Sequence, residues 1–229
     1  ERRLSRLKAA GFNAVRTAHN PPSPAFYRAC DKLGLLVMAE VFDTWTVGKV
    51  DFDNTLDFQK NWEDDLAAVV GETFNHPCVL MYSIGNEIAE TGTANGSALG
   101  RRIAEKLRAL DPTRYVINCI NGMVSVMELM DKMRDDSQKA SAGQQGQNAI
   151  NEMMSSFGDV MRQIMMLDVV TAATAESYAC VDIGGYNYMD ARYAMDRQLF
   201  PNRVICGTET LAPSIDQVWQ QVKANSHVI

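Results

Sequence analysis

The spacing of hydrophobic positions along this chain changes several times, and each change marks an element. Leu4 and Leu7 share one face of a short amphipathic segment, ERRLSRLKAAG, which Gly11 closes as a helix stop. The run FNAVRTAH is strand-like and ends in polar residues. Helical spacing returns from Pro21 to Leu33, where Ser23 supplies an N-cap and Pro24 a first-turn proline. Gly34 ends that helix, and LLVMAE reads as a buried strand. A loop rich in Asp, Thr and Trp leads to an amphipathic helix from about Leu56 to Thr73. The alternation then continues with VLMYSIGN as a strand, Ala98 to Leu110 as a helix and YVINCI as a strand. VDIGGYNY, a helix from Ala191 to Leu199, RVICGTET and a last helix from Ser214 to Ala224 complete the series.

Residues 123–175 depart from this rhythm. Met123, Met127, Met130 and Met133 recur at helical spacing, Met153, Met154, Met161, Met165 and Met166 form a second group, and the polar run DDSQKASAGQQGQ lies between them as a loop. Methionine stripes of this kind fill cores more often than they hold cofactors, so the stretch predicts a helical elaboration of one connection.

Short apolar strands separated by helices predict a parallel sheet covered by helices. Two architectures compete, an open doubly wound sheet and a (β/α)8 TIM barrel. Polar residues decide between them. Arg16, His19, Glu40, Asn86, Glu87, Asn118, Asn121, Tyr188 and Glu209 all fall at or just beyond the C-terminal ends of the predicted strands. A barrel gathers those ends on one rim, whereas an open sheet spreads them along an edge. No glycine-rich nucleotide-binding motif favours the open sheet. The expected fold is therefore the barrel.

Composition narrows the partners. Charged residues make up 22% of the chain with a net charge of −6 and mixed signs, which disfavours nucleic acid. No apolar run reaches the roughly 18–20 residues of a membrane span. The five cysteines (Cys30, Cys78, Cys119, Cys180 and Cys206) are scattered and read as buried free thiols. His19, His76 and His227 are too far apart in sequence for a local metal motif, and His76-Pro77 reads as a turn. Neither metal nor cofactor is expected.

Two acidic residues stand out at the ends of buried strands, Glu87 after VLMYSIGN and Glu209 in RVICGTET. Carboxylates in such places are costly unless paired or used. Glycoside cleavage with retention uses such a pair: an acid protonates the leaving oxygen while a carboxylate about 5–5.5 Å away attacks the anomeric carbon. Arg16 and Tyr188 are suitable donors to the attacking carboxylate, and Asn86 is placed to hold a sugar hydroxyl. Asp190 and Arg192 fit a salt bridge as well as a substrate contact.

The residues also resemble a family. GFNAVRTAHNPPSPAFYRACDKLGLLVMAEVFDTW, NHPCVLMYSIGNE, GYNYMDARY and PNRVICGTET occur in the order found in the catalytic domain of glycoside hydrolase family 2, the family of β-galactosidases, β-glucuronidases and β-mannosidases. The resemblance covers the whole chain. It implies a retaining barrel enzyme with Glu87 as acid/base and Glu209 as nucleophile. It places Arg16, His19, Asn20, Glu40, Asn86 and Tyr188 among the substrate-binding residues, with Asp43 and Trp45 in the same pocket. The run EVFDTW lacks the Glu-x-His pair of the magnesium-dependent β-galactosidases, and no Asn-x-Lys follows Glu209 as in glucuronidases.

The same resemblance predicts a strand before Glu1 and another after Ile229, so the chain reads as part of a longer protein whose barrel is truncated here. The open side is expected to be covered by another chain, a homo-oligomer among the candidates, or to be mobile. The leading function is a β-galactosidase-like retaining glycosidase acting on a carbohydrate substrate. The rivals are a sugar-binding fragment without catalysis and another retaining glycosidase of the barrel clan. Localisation is left open.

Overall fold

The computed structural model describes residues 1–127 and 162–229. Six parallel strands form a single sheet: β1 (Ala14–Arg16), β2 (Leu36–Glu40), β3 (Val79–Asn86), β4 (Tyr115–Ile120), β5 (Ile183–Asn187) and β6 (Val204–Glu209). They neighbour one another in chain order from β1 to β6. Sequential order with helical crossovers is how a (β/α) barrel winds, and it excludes the doubly wound sheet, whose order reverses at a switch point. Beyond β6 the ladder continues, because Val228 bridges Ile205 in parallel and Ile205 N donates to His227 O at 2.8 Å. The apolar residues at the end of the chain thus pair along this strand.

The helices that lie wholly within the described residues are α1 (Arg2–Ala9), α2 (Pro24–Leu33), α3 (Thr55–Thr73), α4 (Ala94–Leu110), α5 (Asp168–Ala179), α6 (Tyr193–Leu199) and α7 (Ile215–Ala224). Gly34 closes α2 in the left-handed conformation at φ 65°, which a glycine adopts without a Cβ clash. Ser23 occupies the N-cap position of α2, but its side chain makes no capping bond. Helix α4 begins four residues before the apolar stripe suggests. Thr93 caps it by accepting from Gly96 N at 3.0 Å, and a Cβ on Gly96 would lie 1.8 Å from Glu90 O. That first turn packs through a small residue, which leaves no hydrophobic period to read.

Alternate residues of each strand face opposite ways. Val37, Ala39, Tyr82, Ile84 and Val116 join one large core with α2, α3 and α4. Ile120, Tyr186 and Ile205 join a second core with α5, α6 and α7. Met38, Met81, Ile117, Cys119 and Ile183 form a separate cluster, with Cys206 packed against it, on the concave face of the sheet. Toward the C-terminal ends of the strands that face changes to Arg16, Glu40, Ser83, Asn86 and Asn187, so the interior is apolar below and polar at the rim.

The methionine expectation meets the structure only in part. Met165 is buried in the second core, whereas Met127 and Met166 are exposed. Met130, Met133, Met153, Met154 and Met161, and the polar run between the two groups, lie outside the described residues. The five cysteines are free, four of them buried. Among the described residues no helix is long and apolar enough to cross a membrane.

Candidate active site

Strand geometry aims the two glutamates. Between Ser83 and Asn86 the pairing of β3 with β4 shifts by one residue, and a second shift lies between β5 and β6 at Asn187 and Glu209. Bulges of this kind bend a strand end and redirect the side chains that follow. Glu87 and Tyr188 come directly after these irregular ends, and both lie at positive φ, 46° and 57°. A non-glycine residue in that region is strained and persists only where surrounding bonds fix it. Glu87 N donates to Cys119 O, and Tyr188 N donates to Glu209 O, each at 2.8 Å.

Arg16, at the end of β1, organises one side of the rim. Its Nε donates to Glu40 Oε1 at 2.8 Å, one terminal nitrogen donates to Glu209 Oε1 at 2.7 Å and Thr208 O at 3.1 Å, and the other donates to Asn86 Oδ1 at 2.8 Å. Glu40 is fully buried, and its second oxygen lies 2.8 Å from His19 Nδ1. Its backbone N donates to Thr17 Oγ1 at 2.9 Å. Glu40 therefore anchors the arginine and the histidine that face Glu209.

The two carboxylates sit in different surroundings. Burial raises the pKa of Glu209, but the hydrogen bonds from Arg16 and the Tyr188 hydroxyl and the charges of Arg16 and His19 outweigh it and hold the carboxyl below its usual range. The same contact with Glu209, together with burial, pushes the Tyr188 hydroxyl up to about 12, so it remains a donor. Among the described residues Glu87 has no cation as a hydrogen-bond partner. Its Oε1 accepts from the neutral amides of Asn121 at 2.9 Å and Asn187 at 3.4 Å. Asn187, completely buried, also donates to Asn86 Oδ1 at 3.0 Å and accepts from Thr208 Oγ1 at 2.6 Å. Arg16, Asn86 and Asn187 thus link the two glutamates through one hydrogen-bond chain.

The residues match the description "Glycosyl hydrolases family 2, TIM barrel domain" over positions 2–166. The chain belongs to glycoside hydrolase family 2. It is 43% identical over 90 residues to a β-galactosidase of Bacteroides ovatus, a match covering 39% of this chain and 11% of that protein. It is 36% identical over 112 residues to a putative β-glucuronidase of Formosa agariphila, covering 49% of this chain and 10% of that one. Among solved structures, a glycosyl hydrolase family 2 member from Bacteroides cellulosilyticus superimposes with a TM-score of 0.76 at 34% identity, covering 100% of this chain and 23% of that one. The chain thus spans about a tenth of the length of the curated relatives it matches.

Within this family-2 barrel domain, Arg16, His19, Glu40, Asn86, Tyr188 and Glu209 come together in one bonded cluster, and Glu87 meets it through Asn187. Asp43 sits at the rim, bonded to Lys49 Nζ at 2.6 Å and Asn86 Nδ2 at 3.0 Å. Burial pushes its pKa up, but these two donors outweigh that and hold it below the ordinary range. Asn20 is exposed and lines a groove with Pro21, Val41 and Phe52 beside the rim, outside the hydrogen-bonded cluster.

Trp45 departs from its expected place. It is fully buried, and its indole Nε1 donates to Ile84 O at 2.8 Å. The ring packs against Gly85 and Gly100, where added Cβ atoms would meet it at 3.3 and 3.0 Å. It supports the rim from behind and offers no face to a sugar. Arg192 is also structural, buried against Asp196 with donation to Met165 O at 2.6 Å and Thr171 Oγ1 at 2.7 Å.

Asn187 and Lys49 were not evident from the sequence as site residues. Asn187 ends a buried strand just before Tyr188, and its amide at that position was the available signal. Lys49 lies in a loop without periodicity and carries none. Among the described residues one group could present ligands to a metal: Asp31, His76 and Cys78, whose donor atoms lie within 4.8 Å of one another at the opposite end of the strands. There Asp31 is already bonded to His76 Nδ1 and to Cys78 N, an arrangement that shapes the turn into β3.

Proposed function

We propose that this chain carries the catalytic pair of a retaining β-glycosidase, with Glu209 as nucleophile and Glu87 as acid/base. The observation that carries this reading is the asymmetry between the two carboxylates. Glu209 faces Arg16, His19 and the Tyr188 hydroxyl, which favour an ionised nucleophile. Glu87 is held through one oxygen by neutral amides, which leaves the other oxygen to carry and deliver a proton.

In the first step Glu209 attacks the anomeric carbon while the carboxylic acid of Glu87 gives its proton to the departing glycosidic oxygen. In the second, Glu87 takes a proton from water as that water displaces Glu209, restoring both groups. Asn86 is placed between them, with its carbonyl oxygen oriented by Arg16 and Asn187, where it can bond a sugar hydroxyl as the transition state forms.

Similarity to the β-galactosidase of Bacteroides ovatus supports a galactoside as substrate, and similarity to the putative β-glucuronidase makes a glucuronide the second reading. One assay of the complete protein addresses mechanism and sugar together. Nitrophenyl β-galactoside should be turned over faster than nitrophenyl β-glucuronide, and Glu209→Gln should lower either rate by about three or more orders of magnitude. Preference for the glucuronide would reverse the sugar assignment, and near-normal turnover by the Gln variant would remove Glu209 as nucleophile.

A further inference from the structure

The loop between β2 and α3 is tethered by two acidic side chains. One oxygen of Glu90 accepts from Thr46 N at 2.7 Å, Thr46 Oγ1 at 2.7 Å and Val47 N at 2.8 Å. Asp53 accepts from Lys49 N at 2.7 Å, Val50 N at 3.3 Å and Thr55 N at 3.0 Å. Buried apolar side chains anchor this loop only as far as Trp45; beyond it Val47, Val50 and Phe52 are all exposed and do not explain the restraint. What the tethers fix in place is Lys49.

The Lys49 side chain reaches back over the rim. Its ammonium donates to Asp43 Oδ1 at 2.6 Å and to the backbone oxygen of Asn86 at 2.8 Å. That oxygen belongs to the peptide joining Asn86 to Glu87, where the chain leaves β3 and enters the left-handed conformation. The nitrogen of the same peptide donates to Cys119 O at 2.8 Å. The peptide is therefore clamped on both edges, by the β4 backbone on one side and by a cation on the other. Asp43 completes the clamp by accepting from Asn86 Nδ2 at 3.0 Å. No direct bond joins Lys49 to Arg16, His19 or Tyr188, the groups that face Glu209.

We propose that Lys49 is a positioning residue for the acid/base: it fixes the Asn86–Glu87 peptide and thereby the aim of the Glu87 carboxyl at the leaving oxygen. This rests on the assignment of Glu87 and Glu209 made above. The physical argument is one of selective effect. A carboxyl misplaced by about 1 Å transfers a proton poorly, and general acid catalysis contributes about 10²–10⁴-fold where a leaving group needs it. A dinitrophenolate leaves without protonation, whereas a methoxide does not. Loss of the clamp should thus depend on the leaving group, while a general loosening of the rim should slow both substrates alike.

The experiment compares kcat/KM for 2,4-dinitrophenyl and methyl β-galactoside in the complete protein, for the native sequence, Lys49→Met, Lys49→Arg and Glu209→Gln. With Lys49→Met, the methyl glycoside should lose about tenfold or more and the dinitrophenyl glycoside less than about threefold. Lys49→Arg, which can still donate to both oxygens, should recover most of the methyl glycoside rate. An equal loss on both substrates, no loss on either, or failure of the Met variant to fold would overturn the proposal. Glu209→Gln separates the two claims. If the native protein is active and Glu209→Gln is not, a uniform Lys49→Met effect removes only the role of Lys49. A native protein inert on these galactosides and on the matching glucuronides, or a fully active Glu209→Gln, removes the underlying assignment and the clamp with it; a protein active only on the glucuronides is tested with that pair instead.

Discussion

Arg16 touches a larger share of the rim than any other side chain in the site. Its guanidinium meets Glu40, Thr208, Glu209 and Asn86 in a planar fork that a lysine could not reproduce. The charge-assisted bond to Glu209 is one of the causes holding that carboxyl below its usual range. A nucleophile with a depressed pKa stays ionised, and active, as the pH falls toward that pKa. Arg16→Gln should raise the Glu209 pKa and move the acidic limb of the kcat/KM profile to higher pH. It should also lower stability, by about 1–3 kcal/mol, because buried Glu40 loses its arginine and keeps only the contact with His19 on its other oxygen. An unshifted acidic limb in the folded variant would show that Arg16 does not govern the ionisation of the nucleophile.

At the scale of elements, closeness between strands is enforced by residues without side chains. A Cβ on Gly185 of β5 would come within 2.7 Å of Asn118 O and 2.9 Å of Cys119 Cα, and neither backbone atom can move without disturbing β4. Gly185→Ala should therefore lower the melting midpoint through about 1–3 kcal/mol of overpacking, read by calorimetry or circular dichroism. An unchanged midpoint would mean that the β4–β5 pairing is looser than its register implies.

The strands were legible because their apolar runs are bounded by glycine and polar residues. Six of the helices were legible because helical spacing recurs along them. The start of α4 was not, since Gly96 is buried for its smallness. Nor does any pattern in 45–55 indicate that a distant acid, Glu90, and a local one, Asp53, hold the loop. Trp45 entered the expected pocket only through the resemblance, since its place in the sequence does not separate a pocket residue from a packed indole; its burial against Gly85 and Gly100 is packing.

For the whole molecule, the consequence of parallel winding is convergence. Strands β1, β2, β3, β5 and β6 each deliver a polar group to one rim, so residues from Arg16 to Glu209 share a single hydrogen-bond chain. Strand-end position alone pointed to Arg16, Glu40, Glu87 and Glu209. The difference between the two glutamates was invisible at that level, because it depends on which donors the fold turns toward each of them.

That difference is the central claim, and a covalent trap reads it most directly. The complete protein is incubated with a 2-deoxy-2-fluoro-β-galactosyl fluoride, which slows both steps but leaves the second the slower, and the labelled peptide is identified by mass spectrometry. A single galactosyl ester on Glu209, released on adding an acceptor sugar, is the predicted result. An ester on Glu87, or turnover of the reagent to an inverted product with no ester formed, would contradict the account.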